Sequence, residues 1–219
     1  MGASIVLIGN NNSGLNIPKE ILLDTSFLTI LGTPSHIYFS KAFSFLNECI
    51  KNGIELYYTP IVVNELTHHY EKVYAKEEAT KLGLNIADPK YNGAYGHKEI
   101  IKDIYAVNPT FNFDNISSST AQITKELLDN ADYLPETTGD GYLDRFQTVH
   151  KHVKGAIESN DISILLTGHT YGINSIVVAD KGYAAVDGVN VYAIPTKDLR
   201  IAAQGTSSLH LPYDPDWMK

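Results

Sequence analysis

ILLDTSFL, Ile21 to Leu28, decides how this chain is read. Three aliphatic residues run straight into Asp24, with Thr25 and Ser26 behind it. A short apolar run of this kind suits a strand buried on both faces of a parallel sheet. Asp24 stands where that strand should end. In open α/β sheets ligands gather outside the carboxyl ends of the strands. Asp24 is therefore either a helix-capping residue or the first member of a site.

Working outward, SIVLIG near the start, IELYY (Ile54 to Tyr58), SIVVAD (Ser175 to Asp180) and VNVYAI (Val189 to Ile194) read as further strands. Helical patterns separate them. Ser35 can cap a helix that runs to about Asn52, where Gly53 suits a left-handed stop. Phe39, Ala42, Phe43, Leu46, Cys49 and Ile50 recur at helical spacing and make its expected buried stripe. Thr59 and Pro60 are a hydroxyl cap and a first-turn proline for a helix that should reach Gly83. Weaker helices are expected from His97 to Tyr105 and, capped by Ser117 to Ser119, through ITKELLDNADYL. Tyr142 to Ser159 forms the next, with Phe146, Val149, Val153 and Ile157 as its stripe. Asn160 and Asp161 open a helix that ends at Gly172, and Lys181 to Ala185 is a short turn or helix.

Alternation of strand and helix predicts the α/β class: a three-layer α/β/α sandwich around a central parallel sheet. The chain is read as a single domain, 1–219, with a helical insertion at about 84–141. Pro89, Gly93, Gly96 and Pro109 break that insertion too often for it to bury a large core alone. The tail from Gln204 to Lys219 reads as irregular, with Trp217 docking on the body.

Composition narrows the classes. The 219 residues are 43% hydrophobic, enough for a substantial core. Cys49 is the single cysteine, so no internal disulfide framework exists and a reducing, cytoplasmic compartment is expected. No apolar run is long enough for a membrane span, and SIVLIG lacks the basic leader and cleavage site of a signal peptide. A net charge of −8 is unlike the footprint of a nucleic-acid binder, although metal-holding acids would count in the same sum. Two apparent motifs fail. In GNNNSGLN, Leu15 stands where a phosphate-binding loop needs lysine, and Asn16 where it needs Ser or Thr. The pairs His68/His69 and His150/His152 are poorly spaced for one helix face, and one cysteine does not complete a structural zinc site.

Four acids carry the chemistry. Asp24 and Asp180 close two strands; Glu65 and Asp161 lie near the starts of two helices. Strand ends and helix starts share one edge of a parallel sheet, so all four can converge. Clustered carboxylates repel, and some would stay protonated. A divalent cation removes that penalty, and Mg²⁺ or Mn²⁺ prefers oxygen ligands. Metal-assisted hydrolysis of a phosphodiester is the chemistry such a cluster serves best.

LLDTS at Asp24, PIVVNEL at Glu65, SND at Asp161 and IVVAD at Asp180, followed by Tyr183, resemble the pattern of PIN-domain ribonucleases, a family that includes VapC-like toxins. The resemblance covers Ile21 to Ser26, Ile54 to Leu66 and Asn160 to Ile194. It implies a Mg²⁺- or Mn²⁺-dependent endoribonuclease, with Asp24, Glu65, Asp161 and Asp180 as catalytic metal ligands and Ser26 as a supporting polar contact. The partners to expect are RNA, a second copy in a homodimer and, for a toxin, an antitoxin-like protein; no membrane is expected. Many relatives carry a further acid where this chain has Gly182; Asp187 is the nearest substitute. The chain is also longer than the toxins, mostly through the insertion.

Two rival readings stand beside this one. A PIN fold can bind RNA or protein without cutting. A haloacid-dehalogenase-type phosphatase also begins with a strand-end aspartate, but needs a second one where Ser26 stands. For RNA, positive charge is expected from Lys151 and Lys154, with Arg145, His150 and His152 on the same helix. His150 and Lys154, four apart, should share a face. Tyr91, Tyr95 and Tyr142 are candidates to stack on unpaired bases.

Overall fold

Each apolar run forms a strand, and a sixth strand joins them. The computed structural model describes residues 3–92, 96–137, 139–186 and 188–204. Trp217, Tyr95 and Asp187 lie outside the described residues. The strands are β1 (Ser4–Leu7), β2 (Glu20–Leu23), β3 (Glu55–Tyr58), β4 (Asp132–Tyr133), β5 (Ser175–Val178) and β6 (Asn190–Ala193). They form one sheet in the order β1-β6-β5-β2-β3-β4, and every pair is parallel. The helices are α1 (Thr25–Leu31), α2 (Phe39–Lys51), α3 (Pro60–Lys81), α4 (Gly96–Val107), α5 (Asp114–Leu128), α6 (Tyr142–Val153), α7 (Ser159–Thr170) and α8 (Lys197–Ala203). The fold is α/β, and none of its helices is long and apolar enough to cross a membrane among the described residues.

The chain divides into two compact units, Met1–Val62 with Asn130–Lys219, and Val63–Asp129. The first holds the sheet. Ile21, Leu22 and Leu23 are buried, as are all four residues of β5, as double-sided burial in a parallel sheet requires. The second unit is helical and has its own core of Ala75, Ala79, Tyr91, Ile100, Ile104 and Ile116. Tyr91 is thus a core residue, its hydroxyl donating to Asp103 at 2.6 Å, and it offers no stacking face. The insertion expected at about 84–141 includes β4, which pairs with β3.

Several local expectations are corrected. Ser35 does not cap α2, which starts at Phe39 behind Tyr38 with no side-chain cap bond. Of the stripe expected to be buried on α2, Ala42 and Cys49 are buried, joined by Phe45, whereas Phe43 and Ile50 are exposed. Phe45 wins because its ring meets Phe27 and Tyr192 at centroid distances of 6.1 and 5.7 Å. Burial drives the Cys49 thiol up to about 12, which fits packing rather than chemistry. Ser117 to Ser119 lie inside α5 rather than capping it. Pro60 does open α3, but the buried Thr59 hydroxyl makes no hydrogen bond and is no cap. The helix through Tyr142 stops at Val153, because Lys154 and Gly155 both adopt left-handed backbone (φ 48° and 78°). Ile157 therefore packs beyond the helix. A further helix, α8, follows β6, and Thr196 marks its start by accepting from the Leu199 N–H at 3.4 Å.

Strand order places the candidate edge. From β2 the chain builds outward through β3 to β4, then returns on the other side of β2 as β5 and continues to β6. The order reverses between β2 and β5. Parallel sheets open a crevice at such a switch point, outside the carboxyl ends of the strands.

Candidate functional site

Asp24 and Asp180 occupy that crevice because each follows the last residues of a switch-point strand. The Asp24 N–H still donates to Val177 on β5, at 3.2 Å, so the acid is registered against the neighbouring strand. Its side chain turns back to cap α1: Oδ2 accepts from the Ser26 N–H at 2.9 Å and from the Ser26 hydroxyl. That hydroxyl in turn accepts from Ala179 N–H at 2.8 Å, tying the end of β5 to Asp24. Ser26 is thus the polar support of Asp24, and the capping and site readings of Asp24 coexist in one geometry.

Asp161 arrives from α7, in the third position of a helix that Glu158 caps. Glu158 and Asp161 form a reciprocal capping box, with Asp161 Oδ2 accepting from the Glu158 N–H at 3.1 Å. The cap is Glu158, rather than the expected start at Asn160. The other oxygen, Oδ1, lies 2.9 Å from the hydroxyl of Tyr183, and the same hydroxyl lies 2.9 Å from Asp24 Oδ1. Tyr183 is wholly buried and Asp24 is 4% exposed.

Proton counting makes this arrangement informative. A phenol has one proton and here faces two carboxylate oxygens. With both acids ionised, one of the two contacts is oxygen against oxygen without a hydrogen. Burial, and then the Asp24 charge, push the Asp161 carboxyl up to about 7, with Asp180 adding to the rise. Burial and the same two acids push the Tyr183 phenol well above its ordinary value. The phenol therefore stays protonated, and Asp161 takes a proton near neutrality unless positive charge comes close.

Asp180 is held by an Asx-type turn, its Oδ1 accepting from the Gly182 N–H at 2.6 Å. Gly182 cannot grow. A Cβ there would lie 2.8 Å from both the Ala156 carbonyl oxygen and Ile157 Cγ2, and 3.1 Å from Asp180 Oδ1. The further acid that the resemblance expects at this position has no room. Gly182→Ala should cost about 1–3 kcal/mol by overpacking and displace Asp180. Urea unfolding of the variant measures the cost; an unchanged midpoint would show that the Ala156 segment yields freely.

The four expected ligands are thus distributed as follows. Asp24 and Asp161 meet through Tyr183, and Asp180 acts on Asp161 through its charge. Glu65 lies on α3 and belongs to the second unit, whereas the three aspartates belong to the first. Among the described residues, no three His, Cys, Asp or Glu side chains stand together as a ready metal shell. The donor chemistry nevertheless fits a hard divalent cation: the groups are carboxylate oxygens whose charges act on one another. Tyr183, which the sequence marks only as the aromatic behind the last acid, is the residue that joins the site.

Lys151 is in the last turn of α6 and exposed. Lys154 is exposed too, but its left-handed backbone takes it off the helix, so it does not share a face with His150 as four-residue spacing implied. Tyr142 is half-buried, and its hydroxyl donates to Ser163 at 2.8 Å. No protein-family description, curated protein or solved structure matches the chain.

Proposed function

We propose that the chain is a PIN-like endoribonuclease, built as a three-layer α/β/α sandwich and dependent on Mg²⁺ or Mn²⁺. The observation that carries the reading is the Asp24–Tyr183–Asp161 linkage at the β2/β5 switch point, with Asp180 beside it. Asp24, Asp161 and Asp180, all of the first unit, would hold the cation. When bound, the cation supplies an activated water and neutralises charge at the scissile phosphate. The chain's own residues prepare the site. Ser26 fixes the orientation of Asp24 through Oδ2. Tyr183 keeps its proton and shares it between two acids. Asp161 holds a proton when the site is closed to cations and gives it up to admit one, which couples binding to pH. Incubating labelled RNA with the purified chain, with Mn²⁺ or with chelator, tests the activity. Cleavage that needs the cation is expected; equal cleavage in chelator, or none in Mn²⁺, contradicts the proposal.

An acidic chain must gather its positive charge locally to hold RNA. Lys151 and Lys154, exposed at the end of α6 and just before α7, are the proposed phosphate contacts. Replacing both by alanine should weaken RNA binding and lower the slope of affinity against salt by up to about two. Anisotropy titrations at several salt concentrations read both quantities. An unchanged slope would place the RNA elsewhere.

A further inference from the structure

Tyr142, Phe146 and His150 form a ladder of rings along α6. The Tyr142 and Phe146 centroids are 6.2 Å apart at 38°, and those of Phe146 and His150 are 6.2 Å apart at 14°, close to parallel. The last ring is exposed, and it borders an open cleft of about 370 Å³ lined by His150, Ile157, Glu158, Ser159 and Asn160. That lining ends one residue before Asp161. The cleft thus adjoins Asp161, whose Oδ2 accepts from the backbone N–H of Glu158, and it has an aromatic wall on one side.

We propose that this cleft takes one unpaired nucleobase of the RNA, stacked on the His150 imidazole. The proposal rests on the reading of the neighbouring acids as an RNA-cutting site. Three features select a base over a phosphate. His150 offers a flat ring whose orientation Phe146 fixes from behind, so little freedom is lost when a second ring is added. Ile157, nearly all of it buried, adds an apolar contact at the floor of the cleft. Glu158 places negative charge in the lining, which repels phosphate but suits the amino groups on a base edge; Ser159 and Asn160 add polar atoms for the same edge. Duplex RNA hides its ring faces, so the cleft favours single strands.

The test is binding of a fluorescent single-stranded RNA oligonucleotide, measured by anisotropy in chelator so that no cleavage intervenes. His150 is exposed, so its variants keep the fold, which a melting curve checks. His150→Ala should bind about tenfold more weakly, as loss of one stacked base does, while His150→Phe should retain the wild-type affinity. An oligonucleotide series with one abasic position moved along the strand should weaken wild-type binding at one position and leave the His150→Ala affinity unchanged there. If the wild type binds RNA and His150→Ala binds equally well, the cleft holds no base and this inference falls alone. If Ala and Phe variants lose affinity equally, His150 acts as a charge and the stacking proposal is overturned. If the wild type binds no RNA in chelator yet cuts it in Mn²⁺, the cleft supplies no base affinity and this inference falls alone; if it neither binds in chelator nor cuts in Mn²⁺, the ribonuclease reading fails and carries this inference with it.

Discussion

Asp24→Asn is expected to lower RNA cleavage by more than about a hundredfold, the least that loss of a metal-ligand carboxylate should cost when loss of its supporting contacts already costs 10–100-fold. The fold should survive. An amide keeps an oxygen in place of Oδ2, so the Ser26 contacts that cap α1 can persist. The substitution also removes a negative charge that pushes on Asp161 and Tyr183. Stability should therefore stay level or rise slightly at neutral pH, and the Asp161 proton should leave at lower pH than in the wild type. Activity against labelled RNA and a urea unfolding curve, taken on the same preparation, check both halves. An unfolded variant would make Asp24 a structural cap alone. A folded variant with full activity would remove it from the chemistry.

Tyr183→Phe carries the largest expected effect on stability. It removes one oxygen from a fully buried position and leaves Asp24 Oδ1 and Asp161 Oδ1 without their shared donor. Little cavity is created, so nearly all of the cost is electrostatic. A loss of about 3 kcal/mol is expected at pH 8, the size of a buried charge-assisted hydrogen bond left unmade. The pH dependence has a definite sign. Asp161 has its native carboxyl raised to about 7 from an ordinary value of 3.8. The native state thus binds more protons than the unfolded chain between those values, and this group's contribution to stability falls as pH rises through that window. In Tyr183→Phe the fall should be steeper, because ionised Asp161 then faces Asp24 with no proton between them. Unfolding at pH 5 and pH 8 reads the difference; an equal loss at both values would mean that the phenol is only filling space.

Much of this was legible in the residues, and what was not has identifiable physical causes. β2 and β5 were readable because strands buried on both faces are continuous apolar runs, and both deliver an acid at the end. β4 was hidden because Asp132–Tyr133 is a two-residue edge strand whose residues are exposed, with no periodic signal to find. On α2 the apolar residues cover more than one face, so periodicity could not tell which side of the helix faces the core; the Phe45 contacts decide it. The end of α6 turned on a left-handed Lys154, a conformation that side-chain type does not announce but that the following Gly155 hints at. In the site, Asp24, Asp161 and Asp180 were readable as residues at element ends. Their linkage was not, because it depends on one tyrosine reaching across from the turn after β5. Capping proved a poor discriminator: Asp24, Asp161 and Asp180 all make cap or turn hydrogen bonds and still crowd one crevice.

The central proposal is that the acids of this crevice take up a divalent cation. Its most direct test is thermal unfolding of the wild type with and without millimolar Mn²⁺ at pH 5.5 and pH 8. A cation that binds only the folded state raises the midpoint, and it must displace the Asp161 proton to do so. The expected result is a clear rise at pH 8, of several degrees for a folding unit of this size, that shrinks markedly at pH 5.5, where Asp161 is protonated. A midpoint unmoved by Mn²⁺ at pH 8, or moved equally at both pH values, would contradict it.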